Sequence, residues 1–203
     1  MVKTIAILVF DDVEELDAVG PYEVLASAAM ERPDALKVFL VSETGGPVRC
    51  FKGISLLPHH SFMDAPKPDI LVVPGGDGTR VQRENASLMS WVTKTAAGCE
   101  LVASVCTGVR ITLAAGIAAG KRITTHWSAI DEARASGEAA DVLSDVRFVV
   151  DGNYVSSAGV SAGIDMALWM VGHLVDPAFA RAIQHEIEYY PAPPYTYDIV
   201  APR

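Results

Sequence analysis

Four short apolar runs constrain this chain more than any other feature. They are Lys3–Phe10, Leu36–Ser42, Asp69–Pro74 and Glu100–Val105. None alternates apolar with polar residues, as a half-exposed strand would. Each reads as a strand covered on both faces, which is the pattern of a parallel sheet.

The segments between them have helical character. Gly20-Pro21 is expected to open a helix to about Met30, with Pro21 in the tolerated first turn. Asn85–Ala97 places Leu88, Trp91, Val92 and Thr95 on one stripe, and Gly98 can end it. Helices are also expected at Thr107–Ala119, Ser128–Ala135, Ser161–Val175 and Pro177–Tyr189, and a short strand at Ile123–Thr125. Val48–Cys50 and Ile54–Leu57 resemble a hairpin broken by Lys52-Gly53. Val146–Val150 and Tyr154–Ser156 pair across Asp151-Gly152-Asn153. Strands separated by helices predict an α/β domain with a mostly parallel sheet. One domain is expected over 1–203, with a Pro-rich tail at about 190–203. Pro191-Ala192-Pro193-Pro194 in that tail cannot be helical.

Composition narrows the function. Hydrophobic residues make up 50% of the 203 and charged residues 20%, enough for a core without disulfide staples. No run approaches the roughly 18 apolar residues of a membrane span. The formal charge of −9 disfavours nucleic acid and anionic membrane surfaces as partners. A small neutral or weakly charged molecule, or a second copy of the chain, fits better. Cys50, Cys99 and Cys106 are too few and odd in number for a disulfide framework. With no secretory signal in the opening residues, a reducing cytoplasm is expected. No histidine has metal-ligand spacing, so no metal site is expected.

Ligands of such sheets bind beyond the carboxyl ends of the strands. That directs attention to Asp11–Pro21, Gly75–Gly78, Cys106–Arg110 and Ser157–Ser161. Cys106 stands between a buried strand and a helix of small residues. Such a turn presents a nucleophile and aims helix N–H groups at it, lowering the thiol pKa; the bland alternative is a core cysteine. Asp17 either caps a helix or brings its carboxyl to the Cys106 turn as a proton carrier. Gly75-Gly76-Asp77-Gly78 either makes a tight turn or offers N–H groups to a developing charge. His126 serves as a base, lines a pocket or is bonded structurally.

Together these segments resemble the ThiJ/PfpI superfamily, related to class I glutamine amidotransferases, from Lys3 to about Tyr195. The resemblance rests on Leu16-Asp17-Ala18-Val19-Gly20-Pro21, Pro74-Gly75-Gly76, Ser104-Val105-Cys106-Thr107-Gly108, Thr124-Thr125-His126-Trp127, Ser161-Ala162-Gly163-Ile164-Asp165 and Tyr190-Pro191-Ala192-Pro193-Pro194. Asp17, Cys106-Thr107 and the tail point within it to the branch that hydrates isocyanides. The resemblance implies a flavodoxin-like three-layer sandwich, a homodimer and no cofactor. It implies that Cys106 attacks the isocyanide carbon to form a thioimidate while Asp17 carries protons. Gly75, Gly76 and Thr107 then line the charge-stabilising site, and the Val160 N–H bonds the thiolate. Thr107 stands where superfamily proteases usually carry histidine, and Asp17 where deglycase relatives carry glutamate. Val160 and Ser161 stand where isoleucine and threonine are expected in the hydratases. The alternatives are another superfamily hydrolase or deglycase, or a ligand- or redox-sensing domain like those of AraC-type regulators, which share Thr-Thr-His-Trp.

Overall fold

A computed structural model describes residues 1–194. In chain order its first half comprises β1 (Lys3–Leu8), α1 (Glu15–Glu31), β2 (Leu36–Ser42), β3 (Val48–Arg49), β4 (Ser55–Leu56), β5 (His60–Ser61), β6 (Ile70–Val73), α2 (Thr79–Gln82), α3 (Ala86–Ala96) and β7 (Leu101–Val105). The second half comprises α4 (Val109–Ala114), β8 (Arg122–Ile123), α5 (Ile130–Ser136), β9 (Asp141–Val142), β10 (Phe148–Asp151), β11 (Tyr154–Ser157), α6 (Ala162–Leu174) and α7 (Pro177–Glu186).

Seven strands form one sheet in the order β10-β11-β7-β6-β1-β2-β5. Only the β10–β11 pair is antiparallel. The four apolar runs are its central strands, and residues 5–10, 70–73 and 101–105 are all buried. Helices α1, α6 and α7 pack together on the sheet, and α3 and α4 pack against β6. This is the expected α/β sandwich. Strand β1 lies between β2 and β6, so the chain leaves it in one direction and returns on the other side. The crevice at that reversal is where ligands of open α/β sheets bind. The segments after β1, β6 and β7 meet there.

Several expectations are corrected. Helix α1 begins at Glu15, not at Gly20-Pro21, and Pro21 lies inside it. Pro21 has no N–H for the Asp17 carbonyl, a loss that would normally end a helix. Packing outweighs it, because Asp17, Ala18, Pro21, Val24, Leu25 and Ala28 are all buried. A Cβ on Gly163 of α6 would lie 3.2 Å from Pro21 Cγ, and one on Gly20 would lie 3.1 Å from Ile164 Cγ1. These glycines let α1 and α6 approach closely. The helix expected over Thr107–Ala119 is one 3₁₀ turn, Cys106–Gly108, followed by α4. It stops before Gly116, whose φ is +71°, a left-handed conformation that suits glycine. Of the expected tail at 190–203, residues 190–194 form neither helix nor strand, and 195–203 lie outside the described residues.

Candidate active site

The buried strand β7 ends by delivering Cys106 into a turn where its φ is +55°. That conformation is costly for any residue with a side chain and persists only where the surroundings enforce it. Here both backbone groups are held. The Cys106 N–H donates to the Ala158 carbonyl at 3.2 Å, and the Thr125 hydroxyl donates to the Cys106 carbonyl at 2.7 Å. Gly108 allows the turn to sit on the preceding strand, since a Cβ there would stand 2.1 Å from Val73 O. The Thr107 and Val160 N–H groups lie on the Cys106 sulfur and favour its thiolate form. Val160 is itself at φ +48°.

Asp17 is not a helix cap. It lies in the first turn of α1, and Glu14 is the N-cap residue. Its side chain is fully buried. Oδ2 accepts the Gly75 N–H at 2.9 Å. Oδ1 has no hydrogen-bond partner among the described residues. The Cys106 thiol stands beside the carboxyl and interacts with it, although it does not give Oδ1 an aligned hydrogen bond. Burial pushes the Asp17 pKa up to about 7, against the pull of the Gly75 N–H and of Cys106. A carboxyl in this range is poised for proton transfer near neutral pH.

The expected acidic thiol is not what the structure shows. Burial, and then the adjacent Asp17 charge, push Cys106 up to about 12, against the pull of the Thr107 and Val160 N–H groups. Burial also raises Cys50 and Cys99, each to about 11. The reason is twofold. One 3₁₀ turn and a six-residue helix supply little aligned dipole. A thiolate beside the Asp17 carboxylate would put two negative charges in one buried site. The resting cysteine is therefore a thiol with a base next to it.

Gly75 and Gly76 position this pair. A Cβ on Gly75 would stand 2.5 Å from the Thr107 nitrogen and 2.7 Å from Asp17 Oδ2. Gly76 has φ +118°. Their N–H groups do not point at an open site. The Gly75 N–H is taken by Asp17, and the Gly76 N–H donates to Thr107 Oγ1 at 2.9 Å. The donors that face sulfur are those of Thr107 and Val160.

His126 is brought to the edge of this constellation. Its Nδ1 accepts the Ser128 N–H at 3.3 Å and lies 2.8 Å from the Ser128 hydroxyl, so it caps the turn Trp127–Ala129. Burial lowers its pKa. Its ring covers Gly159, where a Cβ would fall 2.1 Å from Cδ2. Residues to which the sequence alone assigns no role also hold the site. Thr125 and Ala158 fix the Cys106 backbone, and Glu14, paired with Lys52, adds negative charge near Asp17. Among the described residues no three His, Cys, Asp or Glu side chains come together as a metal site. No described helix is long and apolar enough to cross a membrane.

Comparison with known proteins shows the family and the fold. A model of the DJ-1/PfpI family matches residues 3–172. The isonitrile hydratase of Pseudomonas putida is 40% identical over 195 residues, covering 96% of this chain and 82% of that protein. The crystal structure of a ThiJ/PfpI family protein from Pseudomonas syringae superposes with a TM-score of 0.89 at 32% identity, covering 100% of this chain and 82% of the other. Drosophila melanogaster DJ-1beta has the same fold, with a TM-score of 0.82 at 22% identity over 94% of this chain and 100% of that one.

Proposed function

The chain belongs to the DJ-1/PfpI family, and from that premise we propose that it hydrates isocyanides to N-substituted formamides, with Cys106 as nucleophile and Asp17 as proton carrier. One observation carries the reading. A buried thiol stands beside a buried carboxyl whose pKa is near neutral, and two N–H groups face the sulfur. The likeness to the Pseudomonas putida isonitrile hydratase selects the substrate class.

The terminal carbon of an isocyanide R–NC both accepts a nucleophile and takes up a proton. In the proposed first stage sulfur bonds to that carbon. Asp17 receives the thiol proton and passes it to the same carbon, leaving the thioimidate Cys106–S–CH=N–R. The Thr107 and Val160 N–H groups stabilise the negative charge that develops on sulfur. In the second stage water adds to the carbon; one of its protons goes to Asp17 and from there to the nitrogen, which becomes N–H, and the other stays on the new hydroxyl. The C–S bond then breaks as the hydroxyl becomes the carbonyl, its proton passes by way of Asp17 to sulfur, and R–NH–CHO departs. Overall one water is consumed and the enzyme is restored. A base of pKa near 7 suits these transfers, because it both takes and returns a proton readily at neutral pH.

The test is chromatographic detection of the formamide formed from a simple alkyl or aryl isocyanide. Wild type is expected to produce it and Cys106→Ala to produce none. Failure of the wild type to turn over, together with tight binding of a small ligand, would instead support a sensing domain.

A further inference from the structure

Arg110 lies one helical turn after Cys106, at the second position of α4, and its side chain is only 9% exposed. A guanidinium is costly to withdraw from water, and only its partner Glu132, 42% exposed, stays at the surface. Its contacts explain its place. Nε donates to Glu132 Oε1 at 3.0 Å, and Nη2 donates to Glu132 Oε2 at 2.5 Å, which locks the fork onto a carboxylate of α5. The remaining edge turns toward the site. Nη1 donates to Thr79 Oγ1 at 3.4 Å.

Thr79 is fully buried, and its hydroxyl donates to the Gly76 carbonyl at 2.7 Å. A guanidinium only donates hydrogen bonds. Arg110 therefore occupies the lone-pair side of the Thr79 hydroxyl and directs its proton at Gly76. The Gly76 peptide is in turn clamped to Thr107, whose Oγ1 accepts the Gly76 N–H at 2.9 Å and lies 3.2 Å from its carbonyl. The Thr107 N–H faces the Cys106 sulfur.

We propose that Arg110 is a positioning residue: its guanidinium, anchored on Glu132, acts through Thr79 and the Gly76 peptide to hold the Thr107 N–H on Cys106. The chain of contacts touches neither sulfur nor substrate directly. It rests on the reading of Cys106 as a nucleophile, but not on the identity of the electrophile.

The experiment measures alkylation of Cys106 by iodoacetamide, read by peptide mass spectrometry from pH 6 to pH 10 on the full chain. Arg110→Met keeps the length and apolar stem. Thr79→Val removes only the hydroxyl. Each is expected to slow alkylation about tenfold throughout this pH range, because the thiolate loses a donor. The double variant is expected to be no slower than either single variant, as for two parts of one relay. Unchanged profiles in folded Arg110→Met and Thr79→Val would overturn the proposal. So would strictly multiplicative effects in the double variant. If Arg110→Met fails to fold, Thr79→Val decides alone. Loss of isocyanide turnover in the wild type would defeat the substrate assignment and leave this alkylation result standing.

Discussion

At the scale of single residues, Asp17 sets both the chemistry and a stability cost. The proposed attack needs its base form, so kcat/KM should rise with pH and reach half its plateau near 7, where Asp17 titrates. Asp17→Asn should remove that limb and lower turnover by a factor on the order of 10² or more. The same substitution removes the charge that raises Cys106, so alkylation of Cys106 at pH 8 should become faster while turnover falls. Slower alkylation in the variant would show that the carboxylate does not hold the thiol protonated. Stability supplies an independent check. The folded pKa of Asp17 is raised from 3.8 to about 7, so between those values the folded state binds a proton that the unfolded chain has lost. Stability therefore falls as pH rises through this window, by on the order of 4 kcal/mol in total. Urea denaturation should show Asp17→Asn gaining by about that amount relative to wild type between pH 4 and pH 8. A difference independent of pH would contradict the raised pKa.

At the scale of elements, the glycine turns separate a steric role from a conformational one. Gly108→Ala would place a Cβ 2.1 Å from Val73 O and 2.8 Å from Pro74 O. Both are backbone atoms and cannot swing aside, so the loss should be roughly 3 kcal/mol or more. Gly116→Ala meets open space and only an unfavourable φ of +71°, so about 1 kcal/mol is expected. Equal losses in urea titrations would refute the distinction. The same elements show how much was legible in the sequence. Central strands such as β6 and β7 read clearly because burial on both faces leaves an unbroken apolar run. The Cys106 turn read clearly because a nucleophile-like residue closes such a run. β5 and β9 have two residues each, too few to carry any period. The start of α1 was hidden because tertiary packing overrides the helix-breaking tendency of Pro21. Asp17 and Cys106 could be singled out, but the direction of the cysteine shift could not. It depends on burial contributed by distant segments and on a carboxylate that only the fold brings alongside. The Ala158 carbonyl and the Val160 and Gly76 N–H groups belong to the backbone, which no residue type announces.

At the scale of the whole molecule, we expect a homodimer. The ThiJ/PfpI resemblance suggests it. So does the exposure of Leu16, Phe51 and Ile54, gathered where the Phe51 N–H donates to the Val13 carbonyl beside the start of α1. Light scattering should report twice the 21.6 kDa chain mass, about 43 kDa, and a value near the single chain mass at micromolar concentration would refute the assembly. The strand order has a further consequence for colloidal behaviour. The buried apolar segments 5–10, 70–73 and 101–105 lie in the middle of the sheet. At one margin β5 offers only two residues for pairing, and at the other β10 ends in Asp151, whose carboxylate accepts the Arg122 N–H. Neither margin presents a long flat template for a foreign strand. Aggregation should therefore follow the population of unfolded chains and not the concentration of native ones, so a variant such as Gly108→Ala would declare its lost stability first as precipitate.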